Sequence, residues 1–247
     1  MVDKPARLAM VVCVAVSVMA TRAIADDSGT SALAAQDVLE RMKAAYAGCK
    51  SYSDTGVVTT VYLEDDGRTR TTEKPFATAF LRPGRFRFEF TNRSLRGDEL
   101  RYIVWRDGAQ VRSWWDLHKQ LWRSESLVDA LGTAAGVSER ASMTVPALLV
   151  PAEFPGRPLT AFAETKRIED GVLCDVECFR IEGRFVGHPM TVWIDKSTFL
   201  LRRIDLEWQF PDFRTMTTTL YEPVIDQTVA ADALAFNAPG GDSSRKD

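Results

Sequence analysis

Histidine is nearly absent from this 247-residue chain, with only His118 and His188 present. Both fall in turn-forming contexts, Asp116-Leu117-His118-Lys119 and Gly187-His188-Pro189, and no motif ties either to a nucleophile or a partner carboxylate. The chain also lacks a GxSxG elbow, an HExxH helix, a Walker loop and a GxGxxG turn, so no hydrolytic, zinc-protease or nucleotide-binding centre is nominated. The carboxylate pairs Asp65-Asp66 and Glu169-Asp170 lie in turn contexts, where solvated charge is expected. Cysteine is sparse and dispersed, at positions 13, 49, 174 and 178, without the spacing of a metal site. A catalytic residue, a metal and a cofactor are therefore all unexpected.

Positive charge is not in excess either. The N-terminus reads as a secretory signal: Lys4 and Arg7, an apolar run from Leu8 to Ala20 too short to span a bilayer, then Ala23-Ile24-Ala25 as the cleavage site. Cys13 lacks the small residue that lipoprotein-type processing needs ahead of it, so the expected product is released after Ala25 and not lipid-anchored. That segment holds Lys4, Arg7, Arg22 and Asp3, so its loss takes the chain from 31 basic and 34 acidic residues to 28 and 33. A mildly acidic protein has no basic face with which to replace the counterions of nucleic acid.

Export implies an oxidising compartment, in which Cys49, Cys174 and Cys178 would give one disulfide and one spare thiol. Cys174 and Cys178 are four apart in what reads as one continuous strand, roughly 13 Å along it, too far for a bridge. Cys49 therefore pairs with one of the two, with Cys178 preferred and Cys174 left open.

What the chain has in quantity is alternation. Between Met190 and Phe210, Met190, Val192 and Ile194 share one parity, Asp195-Lys196-Ser197-Thr198 reads as a turn, and Ile204, Leu206, Trp208 and Phe210 share a face opposite Arg203, Asp205, Glu207 and Gln209. The same period occurs in Val57–Leu63, Arg68–Leu81, Arg85–Phe90, Leu100–Arg106, Gln110–Trp115, Thr160–Ile168, Val172–Glu182 and Phe213–Glu222. Asp66-Gly67, Asp107-Gly108 and Glu169-Asp170-Gly171 read as turns. Val38, Leu39, Met42, Ala45 and Tyr46 recur at helical spacing between Ala35 and Gly48. The stretch 124–155 breaks the strand rhythm with Leu127, Val128, Leu131 and Ala135 at helical spacing and an apolar run that includes Leu148 and Leu149.

These signals predict one mainly β domain over 35–239. It is a half-open antiparallel β-barrel of about ten strands, covered by an N-terminal helix and a short helical lid inserted at about 124–155, with a flexible lead at 26–34 and a polar tail at 240–247. The strands are rich in aromatics. Phe86, Phe88, Phe90, Ile103, Trp105, Trp115, Ile204, Leu206 and Trp208 are candidate lining of an apolar cavity, Leu127, Val128, Leu131, Leu148 and Leu149 its lid, and Arg202 a rim cation.

Two stretches carry a family resemblance. Trp193-Ile194-Asp195-Lys196 followed by Leu200-Leu201-Arg202-Arg203-Ile204, and Arg82-Pro83-Gly84-Arg85-Phe86-Arg87-Phe88-Glu89, resemble hairpins of the periplasmic outer-membrane lipoprotein carrier and receptor superfamily (LolA/LolB-like), and within it a group of predicted periplasmic proteins of unknown function. The resemblance implies a monomeric, non-enzymatic periplasmic protein that takes lipid or lipoprotein acyl chains into its barrel and exchanges them with an envelope protein that loads or receives the ligand. Burying about ten methylenes at roughly 0.8 kcal/mol each supplies ~8 kcal/mol before ordering costs, enough for about micromolar binding. The alternative is an envelope-sensing or protein-interaction module in which the same scaffold has a filled barrel.

Overall fold

The structure, a computed structural model, describes residues 33–93, 97–154 and 162–239. The signal segment, the lead up to residue 32 and the tail 240–247 lie outside the described residues. The chain begins with α1 (Ala35–Gly48), then a first meander of β1 (Ser51–Glu64), β2 (Thr69–Leu81), β3 (Arg85–Arg93), β4 (Glu99–Asp107), β5 (Gln110–Trp115) and β6 (Gln120–Ser124). Helices α2 (Leu127–Ala135) and α3 (Ala141–Leu149) and a 3-10 turn (Pro151–Glu153) follow. A second meander comprises β7 (Phe162–Leu173), β8 (Val176–Phe185), β9 (His188–Asp195), β10 (Leu201–Gln209) and β11 (Phe213–Tyr221), before the short β12 (Val224–Ile225) and α4 (Ala231–Leu234).

All the strands join one antiparallel sheet in the order β6-β5-β4-β3-β2-β1-β11-β10-β9-β8-β7, with β12 on β1. The sheet is not closed. Its middle is the β1–β11 pairing, where Gly56 faces Tyr221 and Glu64 faces Phe213, so the two meanders meet through the first and last long strands. The inward parity is set by the sequence: Phe86, Phe88 and Phe90 pair with Arg106, Val104 and Tyr102, and these rings, with Phe76 and Phe80, are buried beneath the helices. Val38, Leu39, Met42 and Tyr46 of α1 and Leu127, Leu131, Leu148 and Leu149 of the insertion belong to the same apolar cluster. Helix and lid therefore cap one concave face, as the helical spacings predict.

Several expectations need correction. The turn expected at Glu169-Asp170-Gly171 is strand: β7 runs through it with a register shift between Ile168 and Gly171, and reverses at Cys174-Asp175, both with positive φ. Gly171 is needed there for close approach, since a Cβ on it would lie 2.6 Å from the Trp193 ring. Asp170 is held by Arg167 at 2.7 Å and Lys196 at 3.2 Å. The continuous strand from Val172 to Glu182 is thus two strands of a hairpin.

The expected Cys49–Cys178 disulfide is not formed: Cys49, Cys174 and Cys178 are all free. Cys49 caps the end of α1, where its thiol donates to the Tyr46 carbonyl at 3.2 Å, whereas Cys178 lies within β8 with its thiol 3.6 Å from the Val176 carbonyl. Burial pushes the Cys178 thiol up to about 11.

Ile103 and Trp105 are not on the concave face. Buried residues occupy both parities of β4, and these two, with Trp114, form a second cluster on the opposite face beneath Phe236 of the C-terminal segment. Arg87 holds that segment by donating to the carbonyls of Asp232 (3.0 Å) and Ala235 (2.7 Å).

Arg202 stands at a bulge between Leu201 and Arg203 and forms an ion pair with Asp195 at 2.8 Å, so it belongs to the β9–β10 turn and not to a cavity rim. Burial opposes ionisation of Asp195, but hydrogen bonds from Ser197, Arg202 and the backbone of Ser197 and Thr198 outweigh it and hold the carboxyl below its ordinary range.

Candidate functional site

The helical insertion is tied to the sheet at both ends. Arg106 of β4 grips both carboxylate oxygens of Glu153 at 2.7 Å. Arg82, just after β2, donates to the carbonyls of Cys49 (2.7 Å), Ala47 (2.6 Å) and Leu149 (3.0 Å), so one guanidinium satisfies the C-terminal ends of α1 and α3, where the helix dipoles favour a cation. At the other end, Glu139 in the α2–α3 loop accepts from Lys74 Nζ at 2.9 Å and from the Tyr62 hydroxyl at 3.4 Å. The helices are joined by buried hydroxyls: Ser142 donates to the Leu131 carbonyl at 2.9 Å, and Ser138 to Ser142 at 3.1 Å.

Beneath this lid the two halves of the concave face differ. On β3 the inward residues are Phe86, Phe88 and Phe90, and on β2 Phe76 and Phe80 flank the buried Thr78, so that rings fill most of the space. On β11 they are Thr215, Thr217, Thr219 and Tyr221, and the Thr217 hydroxyl is 3.2 Å from that of Thr60 on β1. Short side chains leave a gap, and a cavity of about 50 Å³ lies there. Its roof is Met143 and Thr144 of α3; its floor and walls are Thr217, Thr219 and Tyr221 of β11, Ile204 and Leu206 of β10, Met190 of β9 and Phe185 of β8. Glu139 and Arg140 stand at its edge, both with positive φ, and the Arg140 guanidinium lies 4.5 Å from the centre of the Phe185 ring.

Next to the cavity is a buried polar chain. Tyr46 of α1 accepts from the Leu201 amide at 3.2 Å; Tyr52 donates to Asp54 at 2.8 Å, and the Thr78 amide donates to the other Asp54 oxygen at 2.8 Å. Burial pushes the Asp54 carboxyl up to about 6 and raises the Tyr46, Tyr52 and Tyr221 hydroxyls well above their usual range. Among the described residues no group of three or more His, Cys, Asp or Glu is arranged to hold a metal, and no helix is long and apolar enough to cross a membrane.

Of the sequence-predicted site residues, Ile204 and Leu206 line the cavity, and Trp208 lies just beyond it with its ring 4.0 Å from that of His188. Phe86, Phe88 and Phe90 are fully buried packing for the first meander, and Trp115 packs edge-on against Tyr102 at 5.9 Å. Leu127 and Leu131 of α2 and Leu148 and Leu149 of α3 are buried in the core cluster, and Val128 packs partly buried against it. Thr217, Thr219, Tyr221, Met190, Phe185, Met143 and Thr144 were not foreseen. The alternating threonines of β11 were the available signal, since small side chains on a core-facing parity mark a place where packing runs thin.

A helix-capped, open antiparallel sheet with an apolar cavity under an inserted lid is the architecture these observations define. Residues 35–244 match the family described as "Predicted periplasmic protein (DUF2092)", and the chain belongs to that family. The resemblance to such a group is thereby borne out. No curated protein matches the sequence. Among solved structures, the chain is similar to lipoprotein LppX of Mycobacterium tuberculosis (11% identity, 83% of this chain and 99% of that one, TM-score 0.43) and to a LolA superfamily protein of Nitrosomonas europaea (12%, 83% and 99%, 0.31). It is also similar to a chain of the Pseudomonas aeruginosa MucA/MucB complex (15%, 83% of this chain, TM-score 0.36), of which it spans only 61%.

Proposed function

We infer that this protein is a non-enzymatic periplasmic carrier that holds the hydrocarbon part of a lipid or lipoprotein between the α2–α3 lid and the concave sheet. The observation that carries this reading is the apolar cavity under α3, placed where threonines interrupt an otherwise aromatic and aliphatic face. At about 50 Å³ it has room for only a few atoms, and a chain of about ten methylenes needs more. Met143, Met190 and Leu206 line it, and unbranched methionines repack at low cost, so the walls suit expansion around an inserted chain.

Native mass spectrometry of protein purified from the periplasm without detergent, followed by lipid extraction, tests the reading. A co-purifying acyl species of defined mass is expected. A clean apo mass that persists after incubation with lipids refutes it.

A second reading draws on another observation. Most of the concave face is filled by the protein's own Leu127, Leu131, Leu148 and Leu149 packed against the phenylalanines, as an interaction or sensing module with a filled interior would require. The persistent apo mass selects that reading.

A further inference from the structure

The end of the sheet next to the cavity mouth is apolar beyond what the core requires. The antiparallel order brings the turns at 65–68, 116–119, 186–187 and 210–212 to this same end. Leu117, Val186 and Phe210 stand on three of them, 53%, 65% and 38% exposed. Turns ordinarily carry polar residues, as the Asp195–Thr198 turn at the opposite end does.

Behind Phe210 the concave surface continues outward from the cavity as a row of rings. His188 and Trp208 are 4.0 Å apart between centroids, Trp208 and Phe210 6.4 Å, Phe210 and Phe213 4.5 Å, and Phe213 and Tyr62 6.4 Å. Leu206, one step inward from Trp208 on the same face, already lines the cavity, so row and cavity are continuous.

The charge on these turns narrows what could cover them. Asp65, Asp66, Asp116 and Asp212 stand against Arg68 and Lys119, so among the described residues of these turns there is no excess of cations with which to attract an anionic membrane. Amphipathic rings and single aliphatic side chains projecting from turns, without a polybasic rim, match the boundary between headgroups and acyl chains of an uncharged bilayer surface.

We propose that this end of the sheet docks on a zwitterionic lipid surface, with Leu117, Val186 and Phe210 entering the interface and the Trp208–Phe213–Tyr62 row forming the floor along which an apolar chain reaches the cavity. The direction of chain transfer rests on the lipid-carrier reading; the docking does not.

Flotation of the full protein with phosphatidylcholine vesicles tests it. The unmodified protein is expected to float, and the double variant Val186→Ser/Phe210→Ser to bind at least about tenfold more weakly, since two partly exposed apolar side chains lose their burial. Val172→Ser, a 65% exposed site at the opposite end of the sheet, is expected to leave binding unchanged. Adding phosphatidylglycerol is expected to give no increase. Unchanged thermal midpoints of the variants show that folding is not the cause. Absence of flotation, equal flotation of the double variant, an equal loss in Val172→Ser, or binding that appears only with the anionic lipid and is abolished by salt each overturns the proposal. Protein that floats but carries no acyl species retires the carrier reading and leaves the docking; protein that carries lipid and does not float does the reverse.

Discussion

Asp54 offers a sharp test of the buried polar chain. Its carboxylate lies wholly inside the core, accepts from the Tyr52 hydroxyl and the Thr78 amide, and faces the hydroxyls of Tyr46 and Tyr221; Arg202, which also acts on Tyr46, is committed to Asp195. Burial dominates and takes the carboxyl from an ordinary 3.8 to about 6. At 1.36 kcal/mol per pH unit this is a differential of about 3 kcal/mol between protonation states. The folded pKa is the higher one, so the stabilisation is fully present below about 3.8 and is lost as pH rises through about 6. In Asp54→Asn this dependence disappears, while the loss of one acceptor adds an offset that does not vary with pH. Asp116, Asp170 and Asp195 are lowered and titrate in the opposite sense, but they are common to both proteins and cancel in the comparison. Urea unfolding of both proteins from pH 4 to 8 is the assay. The wild-type free energy minus that of the variant should fall by about 2.5 kcal/mol across this range, the rest of the differential being lost below pH 4. Parallel curves would refute the assignment of a buried, desolvated carboxyl.

Thr219→Ile replaces the hydroxyl with a methylene and adds one methyl group to the cavity wall; co-purifying acyl species should disappear by native mass spectrometry while the thermal midpoint holds or rises, and retained lipid would place the ligand elsewhere. Gly56→Ala should cost more than Gly171→Ala in urea unfolding, because its new methyl would overlap the Leu220 carbonyl as well as the Phe76 ring, whereas at Gly171 it meets side chains alone. A cost of about 1–3 kcal/mol is expected at Gly171, and a reversed order would contradict the packing at the β1–β11 seam. Phe236→Ala should uncover Trp105 and Trp114, lower stability by about 1–2 kcal/mol and shift tryptophan emission to the red; unchanged emission would mean that the C-terminal segment does not cover them.

The regular hairpins were legible in the sequence because each has one wet face. α1 was found with its bounds, and the lid was found from the loss of period-2 rhythm after Ser124. β6, β12 and α4 were missed, being too short to display a period. In β4, Tyr102, Ile103, Val104 and Trp105 are all buried, so alternation carries no information about which face looks inward; only the C-terminal segment, 130 residues further on, explains the second apolar face. The acidic Glu169-Asp170-Gly171 imitates a turn because turn chemistry and close ring packing both select glycine. The aromatic stripes point to a cavity among the rings, whereas the cavity lies in part among threonines, since bulky rings fill space and small residues create it.

An open sheet has two edge strands, here β6 and β7 among the described residues, and the register breaks of β7 bear on what happens there. β7 pairs with β8 only at 162–163, 166–168 and 171–173, with Glu164 in the left-handed region between the first two runs. A strand arriving at the outer border would meet at most three regular positions before its ladder is interrupted, among Lys166, Arg167, Glu169 and Asp170. β6, at the other border, has five residues. Uninterrupted borders template copies of themselves, which is the hazard of any sheet that does not close. Here the irregularities that obscured the sequence reading are the same ones that stop the sheet from growing, so a twelve-stranded open surface can remain accessible to other molecules without polymerising through its edges.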